Sequence, residues 1–268
     1  MQLFTTKFDE ILKKIDSINP IKYSATRNFK NGHVTKLSPY ISRGVISTRF
    51  IYEKLVEKGF NLKKCEKFIQ ELAWRDFWQQ IWVAKGFLIN EDLKRPQEDV
   101  NDYKISESLA QAKTGINSVD DEINNLYDNG YMHNHMRMYV ASIATNVAKS
   151  HWKTPAKWMY YHLLDGDWAS NALSWQWVAG CGADAAPYFR IFNPITQGEK
   201  FDPDGEFVKY WIPNLKRIPK KYIHKPWEMP EQEAKVINFD LKRDYFEPIV
   251  DHKKAREAAL KAFEFTKK

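Results

Sequence analysis

Two carboxylates separated by a single glycine, Asp165 and Asp167, stand just ahead of a run carrying Asn171, Trp175 and Trp177. A carboxylate in that place can cap the helix that follows, through its unpaired N–H groups. It can equally hold the polar edge of a flat ligand. Asn171 lies four residues before Trp175, so amide and indole share a helical face. In ELAWRDFWQQIW, Glu71, Trp74, Arg75, Trp78 and Trp82 fall at spacings of three and four and form one face. Such a face is either a tryptophan-rich core with snorkelling charges or the wall of a cavity. In a cavity wall, Glu71 would accept from base amides, Arg75 would fork onto phosphate and the indoles would stack. In YMHNHMRM, Asn134, Arg137 and Met138 share a face. Asparagine inside a helix is locally unfavourable, so Asn134 either satisfies a backbone carbonyl or reads a base edge. Arg137 is the expected ion-pair partner of Asp165. His133 and His135, two apart on a helix, diverge; with no HExxH or CxxC spacing, no metal site is expected. Phosphate-loop and dinucleotide glycine fingerprints are also absent.

The elements that must position these groups read as helices. Phe8, Ile11, Leu12 and Ile15 have helical spacing, with Thr6 as the expected cap and Pro20 beyond the end. Ser47 precedes Phe50, Ile51, Leu55 and Val56, and Gly59 follows as a stop. Residues 65–85 predict a third helix ending at Gly86, and 118–129 another ending at Gly130. Thr154–Pro155 predicts a cap and first turn for a helix running to about Leu164. Strand alternation is nearly absent: Pro248–Asp251 is extended at most, and Lys253–Phe265 predicts a last helix. Residues 87–113 read as a polar surface connection, and 198–232, rich in proline, as an irregular wrapping segment. With no repeat and no long linker, residues 1–268 are expected to form one all-α domain.

Composition narrows the class. The 268 residues can bury a substantial core. Ten Trp, 13 Tyr and 16 Phe supply core filling, stacking surface or both. Lys and Arg number 41 against 34 Asp and Glu, a net charge of +7 that favours a polyanionic partner without requiring one. Two cysteines, Cys65 and Cys181, are too few for a disulfide framework and suggest a reducing compartment. No secretory signal or membrane-spanning run is visible, so a cytoplasmic protein is expected.

In order along the chain, TKLSPY (35–40), ELAWRDF (71–77), KTG (113–115), MHNHMRM (132–138), DGDWASN (165–171), WQW (175–177), DAAPYFRIFNPITQGEKFDPDGE (184–206) and PIVDHKKARE (248–257) resemble the helical flavin-binding domain of the DNA photolyase/cryptochrome family. The likeness covers nearly the whole chain. It implies a U-shaped FAD inside an all-helical domain, active in its reduced form. Tyr23, Thr35, Lys36, Leu37, Ser38 and Arg75 would meet the phosphate and ribityl part. Asp165, paired to Arg137, and Asp167 would meet the isoalloxazine and its ribityl chain, and Asn171 would face flavin N5. Asparagine there is the photolyase-like choice; plant cryptochromes carry an acid. Glu71, Trp74, Asn134, Met138, Trp177, Arg190 and Gln197 match positions holding a flipped cyclobutane pyrimidine dimer or its DNA, with Glu71, Asn134 and Asn171 as the catalytic set. Trp175 and Trp152 match two members of an electron-hopping chain.

The resemblance thus implies a carbon–carbon lyase, a deoxyribodipyrimidine photolyase, that repairs UV-damaged DNA as a monomer. Four departures qualify it. The family's N-terminal α/β antenna domain is expected to be absent, because TKLSPY falls by residue 35, and no antenna chromophore is expected. NALSWQW stands for the usual NNGGWQW, placing Leu173 and Ser174 near the flavin. No Trp lies in 87–113, where the hopping chain usually reaches the surface; Tyr103 is a candidate substitute, or the chain ends early. Tyr131 stands where tryptophan is common. A cryptochrome-like blue-light sensor is the alternative from another class, and a flavin-free DNA-binding remnant a third.

Overall fold

A computed structural model describes residues 4–29, 32–114, 116–183 and 194–245. The described residues are helical, with one isolated parallel bridge between Asp102 and Ser150 and no strand. The helices are α1 (Phe8–Asp16), α2 (Pro20–Thr26), α3 (Ser38–Ser42), α4 (Thr48–Glu57), α5 (Glu66–Lys85), α6 (Glu107–Ala110) and α7 (Asn117–Asn129). They continue as α8 (Asn134–Ser142), α9 (Lys153–His162), α10 (Trp168–Ala179), α11 (Pro194–Phe201), α12 (Glu206–Trp211), α13 (Glu231–Val236) and α14 (Leu241–Asp244). The stretch Pro248–Asp251, read as extended at most, and the predicted last helix Lys253–Phe265 lie outside the described residues.

Contacts divide the chain into two compact units where the sequence predicts one domain: residues 1–113 with 122–184, and residues 114–121 with 185–268. In the first unit one core gathers Ile11 and Ile15 of α1, Leu37, Tyr40, Ile46, Ile51 and Leu55 of the following segments, and Phe68 of α5. A second cluster packs Trp78 of α5 and Ile89 against Ala169 and Leu173 of α10. In the second unit the proline-rich stretch is not a strap. Leu215, Ile218, Ile223, Met229 and Phe239 form a core of their own, and Pro213 and Pro226 each open a short 3-10 turn.

Local chemistry decides the helix ends. Ser47 caps α4 by accepting the Phe50 N–H at 3.0 Å, as its position predicts. Thr6 does not cap α1. Thr5 accepts the Lys7 N–H at 3.2 Å and donates to Glu10 at 2.6 Å, so the polar turn lies one residue earlier. Pro20 does not merely follow α1; it starts α2, where its missing N–H costs nothing and Asn19 accepts from the Lys22 N–H. Thr154 is inside α9, whose N-cap is Trp152, and its hydroxyl goes to the Tyr103 carbonyl at 2.6 Å. The stretch 87–113 is not wholly a surface connection: Ile89 and Leu109 are buried, because a 3-10 turn at Gly86–Asn90 and α6 fold their apolar residues inward.

α10 is apolar nearly all round, with Ala169, Ala172, Leu173, Trp175, Gln176, Val178 and Ala179 buried, the pattern of a helix surrounded by protein. It ends at Gly180, whose φ of 76° lies in the left-handed region that favours glycine. α5, α8 and α9 all pack on it.

Candidate functional site

The N-terminus of α10 collects the polar groups. Asp167 is its N-cap, accepting the Ser170 N–H at 2.7 Å. Its other oxygen receives Gln79 at 2.6 Å and Arg75 at 3.1 Å, both from α5 one turn apart. Asp165, 5% exposed, receives Arg137 Nη2 on both oxygens, at 2.8 and 2.9 Å. The expected Arg137–Asp165 pair is therefore present, and Arg137 is itself anchored through Nε to the Met132 carbonyl at 2.9 Å. Each buried carboxylate has a guanidinium, which offsets the cost of desolvating it. Ser42 joins the two pairs, donating to the Asp165 carbonyl at 2.8 Å and accepting from Arg75 at 2.6 Å. The glycine between the acids sits in a tight place: a Cβ on Gly166 would lie 3.1 Å from the carbonyl oxygens of Leu163 and Tyr160, which would have to give by a few tenths of an ångström.

Asn171, one turn into α10, donates its amide N–H to the Ala156 carbonyl at 2.9 Å. A carbonyl can only accept, so the orientation of the amide is settled and Oδ1 is left as an acceptor with no partner among the described residues. Two further polar atoms stay available there: the Ser170 hydroxyl is buried without a hydrogen bond, and Arg75 spends only Nη2 on its neighbours.

Glu71 is bracketed by two cations, Lys67 at 3.1 Å and Arg27 at 3.5 Å. Tyr23 packs edge-on against Phe68, and burial, followed by the Glu71 charge, pushes its phenol well above the ordinary range, so it stays protonated. Lys36 sits in the left-handed region at φ 52°, a strained setting for a non-glycine residue, just before the helix that opens at Ser38. Leu37 is buried in the core, so only its backbone is available to a ligand. Trp74, 45% exposed, stacks on Trp78 at 5.2 Å, while Trp78 turns into the core. Met138 and Trp177 are half-buried. Trp152 and Trp175 are buried.

Some placements differ from expectation. Asn134 is not inside a helix: it is the first residue of α8 and exposed, so no local penalty needs explaining. His133 is the cap, its Nδ1 accepting the His135 N–H at 3.2 Å. Burial, with His135, Arg137 and Lys36 nearby, pushes the His133 imidazole down to about 4, so it is neutral at pH 7. Leu173, expected near the flavin, packs in the Trp78–Ile89–Ala169 cluster, two residues along the helix from Asn171. Arg190 lies outside the described residues; Gln197 belongs to α11 of the second unit, and its side chain is not among those described. Among the described residues no cluster of His, Cys, Asp and Glu could hold a metal, and no helix is long and apolar enough to cross a membrane. Cys65 and Cys181 are free and buried.

Sequence reasoning missed Ser42, Gln79 and Arg27. Gln79 had a signal, lying one turn beyond Arg75 on the same face of α5. Ser42 and Arg27 had none, since the site partners Arg75 and Glu71 lie 33 and 44 residues away. A cavity of about 580 Å³ opens beside Ser42, Arg75, Gln79 and Asp167, with Phe8, Val45 and Phe50 on its apolar side. Its size is that of a small-molecule site.

A helix start with two arginine-paired acids and leftover polar atoms gives this helical domain a place to hold a polar ligand. Residues 68–265 match the family described as the FAD binding domain of DNA photolyase. The chain belongs to that family, the photolyase/cryptochrome family, and FAD is its cofactor. It is 37% identical over 245 residues to a deoxyribodipyrimidine photo-lyase of Alkalihalophilus pseudofirmus, covering 90% of this chain and 51% of the relative. Its fold matches a bacterial class III photolyase from Agrobacterium tumefaciens with a TM-score of 0.77 and 36% identity, over 99% of this chain and 57% of that one. A Synechocystis cryptochrome matches with a TM-score of 0.78 and 28% identity, over 97% and 56%. The chain spans about half the length of the curated relatives it matches. The residues present fit the cofactor: Asn171 Oδ1, the Ser170 hydroxyl and the free nitrogens of Arg75 are acceptors and donors without protein partners.

Proposed function

We propose that this chain repairs cyclobutane pyrimidine dimers in UV-damaged DNA with light, as a photolyase. The observation that carries the reading is the fixed Asn171 amide, whose Nδ2 is tied to Ala156 and whose oxygen is left as a neutral acceptor. The curated relatives named deoxyribodipyrimidine photo-lyase support it. When bound, reduced FAD supplies the photoexcited electron that opens the cyclobutane ring and takes it back afterwards.

The chain's own residues do the rest. Asn171 Oδ1 would accept a hydrogen bond from a protonated N5 without placing a charge against an electron-rich ring. Arg137 and Asp165 would hold the ring's polar edge, and Arg75 and Ser38 the phosphate end, with Thr35, Lys36, the Leu37 backbone and Tyr23 around it. Glu71 accepts from the extruded bases while its ion pairs with Arg27 and Lys67 hold it in place. Trp74, Met138 and Trp177 form the stacking surface, Asn134 reads the base edge, and Arg190 and Gln197 complete the DNA contacts. We further propose that both units act as one monomeric, cytoplasmic domain.

Purified protein carrying reduced FAD, illuminated with UV-irradiated oligothymidylate, is expected to restore thymine absorbance. No recovery with the flavin bound and reduced rejects repair. The fold shared with a cryptochrome supports a second reading, a blue-light sensor; selective binding of damaged over undamaged DNA excludes it.

A further inference from the structure

The buried residues of α10 leave one stripe of the helix open. Asp167, Ser170, Asn171, Ser174 and Trp177 escape full burial. They stand at i, i+3, i+4, i+7 and i+10 and so lie along one side. Trp168, half-buried as well, is off this stripe and tied to Asn90 through its indole N–H at 2.9 Å. Asp167, Asn171 and Trp177 already have roles in the reading above. The two serines between them have none.

Their hydroxyls behave differently from others in this protein. In Ser24, Thr26 and Thr145 the hydroxyl folds back onto the carbonyl four residues earlier, at 2.7, 2.7 and 2.8 Å, which satisfies it locally. Ser170 does not: its Oγ is shut off from water with no hydrogen-bond partner, although the residue as a whole is half-buried. Ser174, one turn on, is exposed and stands where the family's usual motif has glycine. Its hydroxyl makes no hydrogen bond among the described residues either. The chemistry of the stripe gives these two groups a use. Asp167 only accepts, and Asn171 has its amide nitrogen turned to Ala156. A flavin with its ribityl chain carries carbonyl oxygens, ring nitrogens and hydroxyls, so it calls for donors as well as acceptors. A serine hydroxyl supplies a donor without adding charge.

We propose that Ser170 and Ser174 are two further contacts to the flavin cofactor, neutral hydroxyls one turn apart that donate to its acceptor atoms. The contacts rest on the placement of the flavin beside Asn171 proposed above, and not on repair. Rotation about χ1 takes the Ser170 hydroxyl from its sealed setting to the open side of the residue. The acceptor it meets there ends the cost of an unpaired buried hydroxyl. Ser174 gives this chain a donor that a glycine cannot supply.

Thermal melting of the full chain at graded concentrations of oxidised FAD reads flavin affinity and ligand-free stability together. Ser170→Ala and Ser174→Ala should each bind FAD about two- to tenfold more weakly, the loss of one neutral hydrogen bond. Ligand-free Ser170→Ala should melt at the same temperature as wild type or higher, because the hydroxyl it loses has no partner there. A serine that merely supports the fold would lower both quantities. Unchanged FAD affinity in either variant, or a lower ligand-free melting temperature for Ser170→Ala, overturns the pair. Asn171→Ala separates this result from the placement of the flavin. If Asn171→Ala weakens FAD and the serine variants do not, the pair falls and the placement stands. If all three bind FAD as wild type does, the flavin does not lie along this stripe and both fall.

Discussion

The Asn171 amide takes its orientation from one neighbouring carbonyl, that of Ala156, and this leaves a neutral acceptor where a carboxylate would be the obvious rival. The expected consequence is specific. With Asn171 at the flavin as proposed, Asn171→Asp would put a negative charge against the ring and remove the donor to Ala156, so reduction becomes harder and the flavin midpoint potential falls. For a charge held about 4 Å away the effect is roughly 1–4 kcal/mol between bulk-water and partly shielded conditions. Potentiometry that finds the same potential in both proteins contradicts the placement of Asn171. Trp177 carries a separate prediction. Trp177→Ala should weaken binding of damaged DNA by roughly 1–3 kcal/mol, the loss of one base–aromatic stack, with FAD retained. Equal losses for undamaged DNA in a titration would show that Trp177 lies outside the lesion pocket.

At the scale of elements, α10 depends on its first turn and on the cluster behind it. Asp167 both caps the helix and receives Arg75 and Gln79. Asp167→Ala removes the cap and leaves Arg75 without its carboxylate. It should cost about 1–2 kcal/mol for the cap alone and more with the stranded cation. Asp167→Asn, which still accepts the Ser170 N–H, should cost less. Denaturant titrations order the three proteins, and an Asp167→Asn as damaged as Asp167→Ala would mean that charge, not capping, holds the turn. Leu173 stands where the family's usual motif has glycine, and it fills the Trp78–Ile89–Ala169 cluster. Leu173→Ala should therefore destabilise the fold by about 2–5 kcal/mol rather than open the flavin site, and unchanged flavin affinity alongside the lost stability is the expected signature.

For the whole molecule, pH and salt act through different groups. His133 is neutral in the folded state, pushed down to about 4 from an ordinary value of 6.5. Below 6.5 the unfolded chain binds a proton the folded chain refuses. Stability is therefore fully present above about 6.5 and is lost as pH falls toward 4, by about 3 kcal/mol at most. Thermal unfolding of wild type and His133→Gln at pH 7 and pH 4.5 isolates this contribution. A variant with the same pH dependence as wild type would rule out His133 as its source. With a net charge of +7, DNA affinity should fall steeply with salt. Replacing surface lysines should weaken damaged and undamaged DNA alike and flatten that slope. A lysine variant that loses only damaged DNA would contradict it.

Helix existence was legible wherever an apolar period met a stop signal. α5 runs to Gly86 and α4 starts at Ser47 as their patterns predict, because spacing and capping act over one or two turns. The Arg137–Asp165 pair was also legible, an arginine and an acid whose segments were read together as one site. What the amino-acid order alone could not decide was which of several nearby polar residues closes a turn, as with Thr5 against Thr6 and Trp152 against Thr154, since all are chemically able and only packing chooses. Nor could it show that the stretch around Asp92 folds against Trp152, 60 residues on. The line of chemistry along α10 was set by residue types at helical spacing. The partners that orient it (Ser42, Gln79, the Ala156 carbonyl) were set by tertiary contact, where no local period carries a signal and burial alone makes each unpaired polar atom find its neighbour.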